Sequence, residues 1–134
     1  MTLERVSSGA PWETKVGYCR ATCHAGHVAV SGTAAVGEDG AVVGVGDPYA
    51  QTKRCLEILM QALEKCGASA SDVMRTRIFV TNIDDWSEIG RAHAEVFGES
   101  PPATSMVEVS RLIHPDMVVE IEADAVIARS GDGQ

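Results

Sequence analysis

The 134-residue sequence predicts a single α+β domain in which two helices cover one face of a mixed six-stranded sheet. Apolar and polar residues alternate in several segments rich in β-branched side chains, such as residues 73–81, and this pattern predicts strands. Two other segments repeat apolar residues at intervals of three and four, which predicts amphipathic helices. The predicted order of the elements is β-β-β-α-β-α-β-β, and no linker divides residues 1–134.

The first two predicted strands form a hairpin. Apolar-rich runs within residues 18–33 flank the sequence HAGH at residues 24–27, which is typical of a short loop between antiparallel strands. The segment that follows is too rich in glycine for a helix. It predicts a turn with a short third strand at residues 42–43.

The first predicted helix begins at Pro48. Asp47 is expected to cap its free backbone N–H groups, and a proline at the first helical position sacrifices no hydrogen bond. Gly67 follows the last turn and is expected to adopt a left-handed conformation there. The predicted packing stripe of this helix consists of Thr52, Leu56, Leu59, Met60 and Leu63.

The second predicted helix covers residues 85–97, with Asp84 or Asp85 as its cap and Gly98 at its end. Both helices are expected to cover the same face of the sheet. Its predicted packing face consists of Trp86, Ile89, His93, Val96 and Phe97. We interpret the histidine on this face as a packed or half-buried residue.

The last predicted strand, residues 117–129, separates acidic side chains from apolar ones. Successive strand residues point to opposite faces, so an acidic row of Glu120, Glu122 and Asp124 lies opposite an apolar row that faces the core. If the uncovered face of the sheet is apolar it needs a partner, and self-association is therefore expected. Residues 130–134 are predicted to form a frayed tail.

The charge balance excludes some classes of partner. Acidic residues outnumber basic ones 19 to 11, which gives a formal charge of −8 and disfavours binding to nucleic acid or to an anionic membrane. No apolar run has the length of a signal peptide core or a spanning helix, so a cytoplasmic location is predicted. The four cysteines are too few and too irregularly spaced for a disulfide framework, and we interpret them as reduced thiols.

Four potential metal ligands lie close together in the sequence: Cys19, Cys23, His24 and His27. The two cysteines are about 13 Å apart along an extended strand, whereas structural zinc sites favour closely spaced pairs on tight turns. We therefore predict no metal site here.

Tyr18, Arg20 and Glu120 are candidate functional residues. The tyrosine and the arginine share one face of their predicted strand, and a surface pair is the alternative interpretation. A carboxylate between apolar neighbours can have a raised pKa and transfer protons if it faces a cleft. For Glu120 the alternative is a solvated position beside the other acids of its strand.

Several segments together resemble the Rid family of reactive-intermediate deaminases, also called YjgF-like proteins. They are GYCRA at residues 17–21, VAVSGT at 28–33 and PPATSMVEVSRLIHPDMVVEIEADAV at 101–126, and the resemblance extends from about residue 6 to residue 127. It implies a chorismate-mutase-like α+β fold assembled as a homotrimer, with a ligand cleft at each subunit interface. It also implies hydrolysis of enamines and imines to 2-oxo acids and ammonia, without metal or cofactor.

The resemblance assigns positions to individual residues. Tyr18 and Glu120 match the family's tyrosine and glutamate, which help to orient substrate and water, and Ser31 and Gly32 match a serine-glycine strand end. An asparagine that often lines the family's cleft falls near Gly90.

The family's arginine, which grips the substrate carboxylate, is replaced by Thr104, and a frequent cysteine is replaced by Met106. A threonine offers one neutral donor where an arginine offers two charge-assisted hydrogen bonds, each contributing roughly 1.5–3 kcal/mol. Arg20 is a hypothetical substitute for the missing cation. We predict that Thr104 is neither nucleophile nor base, because no neighbouring motif supplies a histidine or lysine to activate it.

Two functions remain open. In the first, a trimeric enzyme hydrolyses imines, enamines or related metabolites that lack a carboxylate in the usual place. Glu120 positions water, Tyr18 orients the ligand, and Thr104 and Ser105 donate hydrogen bonds. In the second, the trimer binds a small ligand without turnover. Ribonuclease activity is disfavoured by the charge of −8 and by the absence of a catalytic histidine pair.

Overall fold

A mixed six-stranded sheet forms the centre of the computed structural model, which describes residues 2–128. The sheet order is β1-β2-β3-β6-β4-β5, and β4 and β5 are parallel whereas the other neighbouring pairs are antiparallel. The predicted α+β fold is confirmed. The strands are β1 (Glu4–Val6), β2 (Ala21–His24), β3 (His27–Ala34), β4 (Val73–Val80), β5 (Ala103–Glu108) and β6 (Val119–Val126).

The described residues contain three α-helices: α1 (Pro11–Val16), α2 (Pro48–Lys65) and α3 (Trp86–Phe97). The two longer helices were predicted, and α1 was missed because six residues are too few to show helical periodicity. Helix α2 packs against β3 and β6, and α3 packs against α2. Of the described helices, none combines the length and the apolar character needed to cross a membrane.

The ends of α2 agree with their sequence signals. The Asp47 side chain accepts a hydrogen bond from the Ala50 N–H at 3.0 Å, and Gly67 has a φ of 81°, in the left-handed region. Leu56, Leu59 and the rest of the predicted stripe face the core, with only Met60 partly exposed.

Helix α3 begins at Trp86, one residue later than predicted. Ile89 and Phe97 are buried as expected, but Trp86 is 62% exposed, so its place on the packing face was predicted wrongly. It is the first residue of the helix and follows an exposed 3-10 turn, where the helix has not yet reached the core. Asp85 occupies the N-cap position of α3, as predicted, but its side chain makes no cap hydrogen bond. Asn82 caps the preceding turn by accepting from the Asp84 N–H.

The predicted hairpin is confirmed by the pairing of β2 with β3. Ala25 and Gly26 connect these strands with φ values of 51° and 84°, as in a type I′ turn. The predicted strand at residues 42–43 is wrong, because only an isolated bridge joins Val36 and Val42. The sixth strand is instead β1, whose three residues were too short to recognise.

The two faces of the sheet differ in chemistry. The face under the helices is apolar and includes the alternating buried residues of β6. On the opposite face, the Arg77 guanidinium lies 3.0 Å from an Asp124 carboxylate oxygen and 3.4 Å from one of Glu122. This face is therefore substantially charged, and burial of a wholly apolar surface does not provide the reason for self-association that the sequence suggested. The predicted tail at 130–134 lies outside the described residues.

Candidate functional site

A β-bulge in β3 shapes the candidate site. Val30 pairs with Ala123 and Thr33 with Ile121, so two residues of β3, Ser31 and Gly32, lie opposite a single residue of β6. The Ser31 N–H donates to the Arg20 carbonyl at 2.9 Å, and the Ser31 hydroxyl donates to the Cys19 carbonyl at 2.7 Å. The bulge therefore fixes the segment that precedes β2 against β3.

Arg20 lies at the base of the site and is only 7% exposed. Its Nη1 donates to the Gly32 carbonyl at 2.8 Å and to the Thr33 hydroxyl oxygen at 2.9 Å. The guanidinium carbon lies 5.5 Å from the centroid of the Tyr18 ring. Its Nε is buried without a hydrogen-bond partner among residues 2–128. A buried cation with an unused donor thus stands beside the tyrosine.

Glu120 lies on β6 between Ala34 of β3 and Phe79 of β4, and it is half-buried. Its carboxylate packs on the Gly32 backbone, where a Cβ atom would lie 2.7 Å from Oε2. Burial raises the pKa of Glu120, the Arg20 cation partly opposes this rise, and the charge of Glu122 adds to it. The carboxylate therefore accepts a proton more readily than a solvated one.

These residues surround a cleft of about 560 Å³, a size that fits a small molecule. Tyr18, Arg20, Ser31 and Glu120 supply polar groups to its lining. The rest of the lining is largely apolar and includes Ala10, Trp12, Val16, Ile58, Ile113 and Met117. The cleft therefore combines a polar floor with apolar walls.

Glu13 fixes the loop that forms one wall of the cleft. Its buried carboxylate accepts hydrogen bonds from the Ser7 hydroxyl at 2.9 Å, from the Ser8 N–H at 3.2 Å and from the Ser8 hydroxyl. Burial by itself raises the pKa of Glu13, but the hydrogen bonds from the Ser8 and Ser7 side chains outweigh it, and the pKa is lowered overall. Sequence reasoning missed this residue, because no local motif links it to the two serines.

Thr104 lies in a second region, on the outer strand β5. It pairs with Thr76 of β4, and the two hydroxyl oxygens are 2.8 Å apart. The Thr76 hydroxyl oxygen is also 2.9 Å from Nε2 of His93 on α3. The sequence offered no neighbouring motif with a histidine, and the structure brings His93 to within two hydrogen bonds of Thr104, through Thr76. These three residues belong to three different elements, so no sequence spacing revealed the contact.

The sequence-predicted site residues form two groups within one chain. Tyr18, Arg20, Ser31, Gly32 and Glu120 line the cleft. Thr104 and Ser105 are exposed on β5, and Met106 is half-buried against the core. The strands of Glu120 and Thr104, β6 and β5, are separated by β4 and lie roughly 10 Å apart, and the two residues are also offset by three positions along the sheet.

The cysteines form no metal site with their neighbours. All four are free thiols, and within residues 2–128 no three His, Cys, Asp or Glu side chains are grouped so that they could hold a metal ion. Burial, followed by a hydrogen bond with Cys23, raises the pKa of the Cys66 thiol to about 12. This thiol is therefore protonated at neutral pH and unreactive.

A small α+β domain with this sheet order and this cleft matches a known family. The family model described as Endoribonuclease L-PSP matches residues 9–127. The chain belongs to this family, which includes the Rid and YjgF proteins, as the resemblance predicted. The Streptomyces coelicolor protein SCO2049 is 36% identical over 123 residues, which cover 92% of this chain and 91% of that protein.

Solved structures of relatives share the fold. Rv2704 from Mycobacterium tuberculosis, a member of the YjgF/YER057c/UK114 family, is 45% identical with a TM-score of 0.85, over 94% of this chain and all of that one. YyfA of the Rid family from Yersinia pestis is 29% identical with a TM-score of 0.84, over 94% of this chain and 100% of that one. TdcF from E. coli, solved with bound serine, is 26% identical with a TM-score of 0.77, over 92% and 94% of the two chains.

Proposed function

We propose that this protein is a homotrimer that hydrolyses imines or enamines, without a cofactor, at clefts between subunits. The observation that carries the proposal is the half-buried Glu120 carboxylate beside Arg20 on the floor of the cleft. A carboxylate with a raised pKa is suited to exchange protons with water near neutral pH. Family membership supports the same chemistry.

The steps of the reaction need only one proton-transfer group. Glu120 takes a proton from a water molecule while the water oxygen forms a bond with the imine carbon. Glu120 delivers this proton to the nitrogen, which gives a carbinolamine. It then transfers the proton of the carbinolamine hydroxyl to the nitrogen, the carbon–nitrogen bond breaks as the carbonyl group forms, and ammonia leaves. Tyr18 orients the substrate, and the Ser31 and Gly32 bulge holds the carboxylate in place.

The lining of the cleft favours an apolar substrate without a carboxylate in the usual place. Trp12, Val16 and Ile113 supply apolar surface that favours a hydrocarbon substituent. The hydroxyl of Thr104 binds a carboxylate more weakly than an arginine does, because one neutral hydrogen bond replaces a bidentate, charge-assisted pair.

A trimer joins the two groups of site residues that one chain keeps apart. The outer strand β5 presents Thr104 and Ser105 to the exterior, where a second copy can place them beside its own cleft. Met106 anchors this strand to the core. The free thiols fit a reducing, cytoplasmic compartment.

The test uses imines generated in place by flavin oxidases. The protein should accelerate release of benzaldehyde and ammonia from the imine of benzylamine, and should act more slowly on the imine of phenylalanine, which carries a carboxylate. Glu120→Gln should remove most of the acceleration, and Asp124→Asn, on the same strand but outside the lining of the cleft, is the matched control. Lack of acceleration by the wild-type trimer with both imines refutes the enzymatic proposal.

Ligand binding without turnover is the second candidate. It is favoured by the neutral Thr104 and by the relative TdcF, which was solved with bound serine. Calorimetric titration with serine tests it directly. Saturable binding to a trimer that accelerates neither imine supports this candidate over hydrolysis.

A further inference from the structure

Thr76 connects a surface hydroxyl to a partly buried histidine. Its side chain is fully buried, and its hydroxyl oxygen contacts both the Thr104 hydroxyl and Nε2 of His93, at 2.8 and 2.9 Å. A hydroxyl carries a single proton, so Thr76 donates to one of these partners and accepts from the other. The three side chains therefore form one directed chain of hydrogen bonds.

The tautomer of His93 sets the direction of this chain. If Nε2 carries the proton, His93 donates to Thr76, Thr76 donates to Thr104, and the Thr104 proton points outward. If Nε2 is unprotonated, every bond reverses, and Thr104 offers only lone pairs to the exterior. The weak contact of the Thr104 hydroxyl with the Pro102 carbonyl, at 3.5 Å, leaves that hydroxyl free to turn.

We propose that Thr104, Thr76 and His93 form a reversible hydrogen-bond relay that selects ligands with an uncharged carboxamide-type group at Thr104. A carboxamide has both an N–H donor and a carbonyl acceptor, so it pairs with Thr104 in either direction of the relay. His93 is the positioning residue of the relay and does not itself touch the ligand.

The surroundings of His93 keep the relay neutral. Burial lowers the pKa of His93, and its ring lies 4.7 Å from that of Phe97, centroid to centroid. At neutral pH the imidazole is therefore uncharged, and the relay carries no charge to a carboxylate at Thr104. Thr104 therefore differs in ligand preference from an arginine at the same position, which would favour an anionic group.

The inference rests on the proposed function, because the intersubunit cleft brings a ligand to the exposed β5. The proposed function and the relay can fail separately, because the relay is tested by ligand binding and by the nitrogen shifts of His93, whereas the proposed function is tested by turnover.

The probes are 3-phenylpropanamide and 3-phenylpropanoate, which share an apolar group and differ in charge at the other end. Affinities for the intact protein are measured by titration, and the imidazole ¹⁵N shifts of His93 are followed by NMR. We expect the amide to bind roughly tenfold more tightly than the carboxylate, in line with one well-formed neutral hydrogen bond. Binding of the amide should also change the His93 nitrogen shifts.

Variants separate the relay from a packing role. Thr76→Val removes the hydroxyl at nearly constant volume and should reduce the amide preference to within about twofold, whereas Thr76→Ser should retain it. Thr104→Arg should reverse the preference. The relay is refuted if neither probe binds the wild-type protein, if the wild type has no amide preference, or if the His93 shifts do not respond. An unchanged preference in folded Thr76→Val refutes it equally.

Discussion

The two groups of site residues differ in how they carry polarity into a largely apolar fold. On the cleft floor, Arg20 and Glu120 are charged, and the arginine is held by backbone and side-chain oxygens. On the outer strand, Thr104 is connected to His93 through a neutral hydroxyl. Burying charges costs far more than burying paired neutral groups, so only the floor carries a large desolvation cost.

The charged residues of the cleft floor and the neutral residues near Thr104 are suited to different tasks. A desolvated carboxylate with a raised pKa is suited to moving protons, which is the role that we propose for Glu120. The neutral hydrogen-bond chain that ends at Thr104 offers a donor or an acceptor without adding a charge. Such a group suits the proposed recognition of uncharged ligands. The following predictions test this difference, from the largest expected effect to the smallest.

Arg20→Met should destabilise the protein by about 3 kcal/mol, because the Gly32 carbonyl and the Thr33 hydroxyl lose charge-assisted hydrogen bonds. Thr76→Val should cost about 1 kcal/mol, because only neutral bonds are lost. Urea unfolding measures both changes. Arg77→Met, at an exposed ion pair, is the control and should cost less than about 1 kcal/mol. A larger loss for Thr76→Val than for Arg20→Met contradicts the comparison.

Glu13→Gln should destabilise the protein by about 2 kcal/mol at pH 7, because hydrogen bonds from Ser7 and Ser8 to a charged acceptor are weakened. The folded-state pKa of Glu13 is lowered, so its contribution is present above the ordinary carboxyl pKa and is lost as pH falls through the folded-state value.

Thermal unfolding of wild type and Glu13→Gln across pH 2 to 7 measures this contribution. The two curves should converge on acidification. A difference that stays constant over this range would show that the carboxylate charge contributes nothing to the loop.

Gly32→Ala should slow imine hydrolysis roughly tenfold with little loss of stability. The new Cβ would lie 2.7 Å from Glu120 Oε2, and the flexible carboxylate can move away more easily than the strand. A displaced proton-transfer group loses much of its contribution to the rate. Steady-state kinetics and a melting curve give the two readouts.

Gly90→Ala is the matched control for this substitution. Nothing lies within 4 Å of a Cβ atom at Gly90, in the middle of α3, and alanine should stabilise the helix by up to about 1 kcal/mol. Equal rates for the two alanine variants would mean that the Glu120 position does not limit the reaction.

Glu120→Gln should give the smallest change in stability, and that change is a gain. A raised carboxyl pKa means that the folded protein binds more protons than the unfolded chain, so the wild type loses stability as pH rises through this window. The variant avoids this loss and should be slightly more stable at pH 7, with the gain vanishing below pH 4. Denaturant titrations at both pH values check the sign.

Much of the fold could be predicted because its signals are local. The start of α2 follows from Asp47-Pro48, and the hairpin turn follows from Ala25-Gly26 between apolar runs. Helix α1 could not be predicted in the same way, because its six residues show no complete apolar stripe. The alternation in β6 placed Glu120 opposite the core-facing row, but it did not decide between a solvated position and a cleft.

The arrangement of the site was less accessible. Hydrogen bonds between Thr104, Thr76 and His93 depend on how β4, β5 and α3 pack, and none of these contacts is encoded by local spacing. The likeness to the Rid family predicted site residues in both regions. It did not reveal that a histidine lies behind Thr104.

The bulge in β3 also changes which residues of the strand face the core. Val28 and Val30 face the core before it, whereas Thr33 and Ala35 do so after it, so buried positions change from even to odd numbers. Deleting Gly32 would remove the bulge and leave Thr33 and Ala35 facing the core, whereas inserting a further residue would turn the later side chains to the opposite face. The strand therefore keeps its register with β6 on loss of one residue at this point, but not on gain of one.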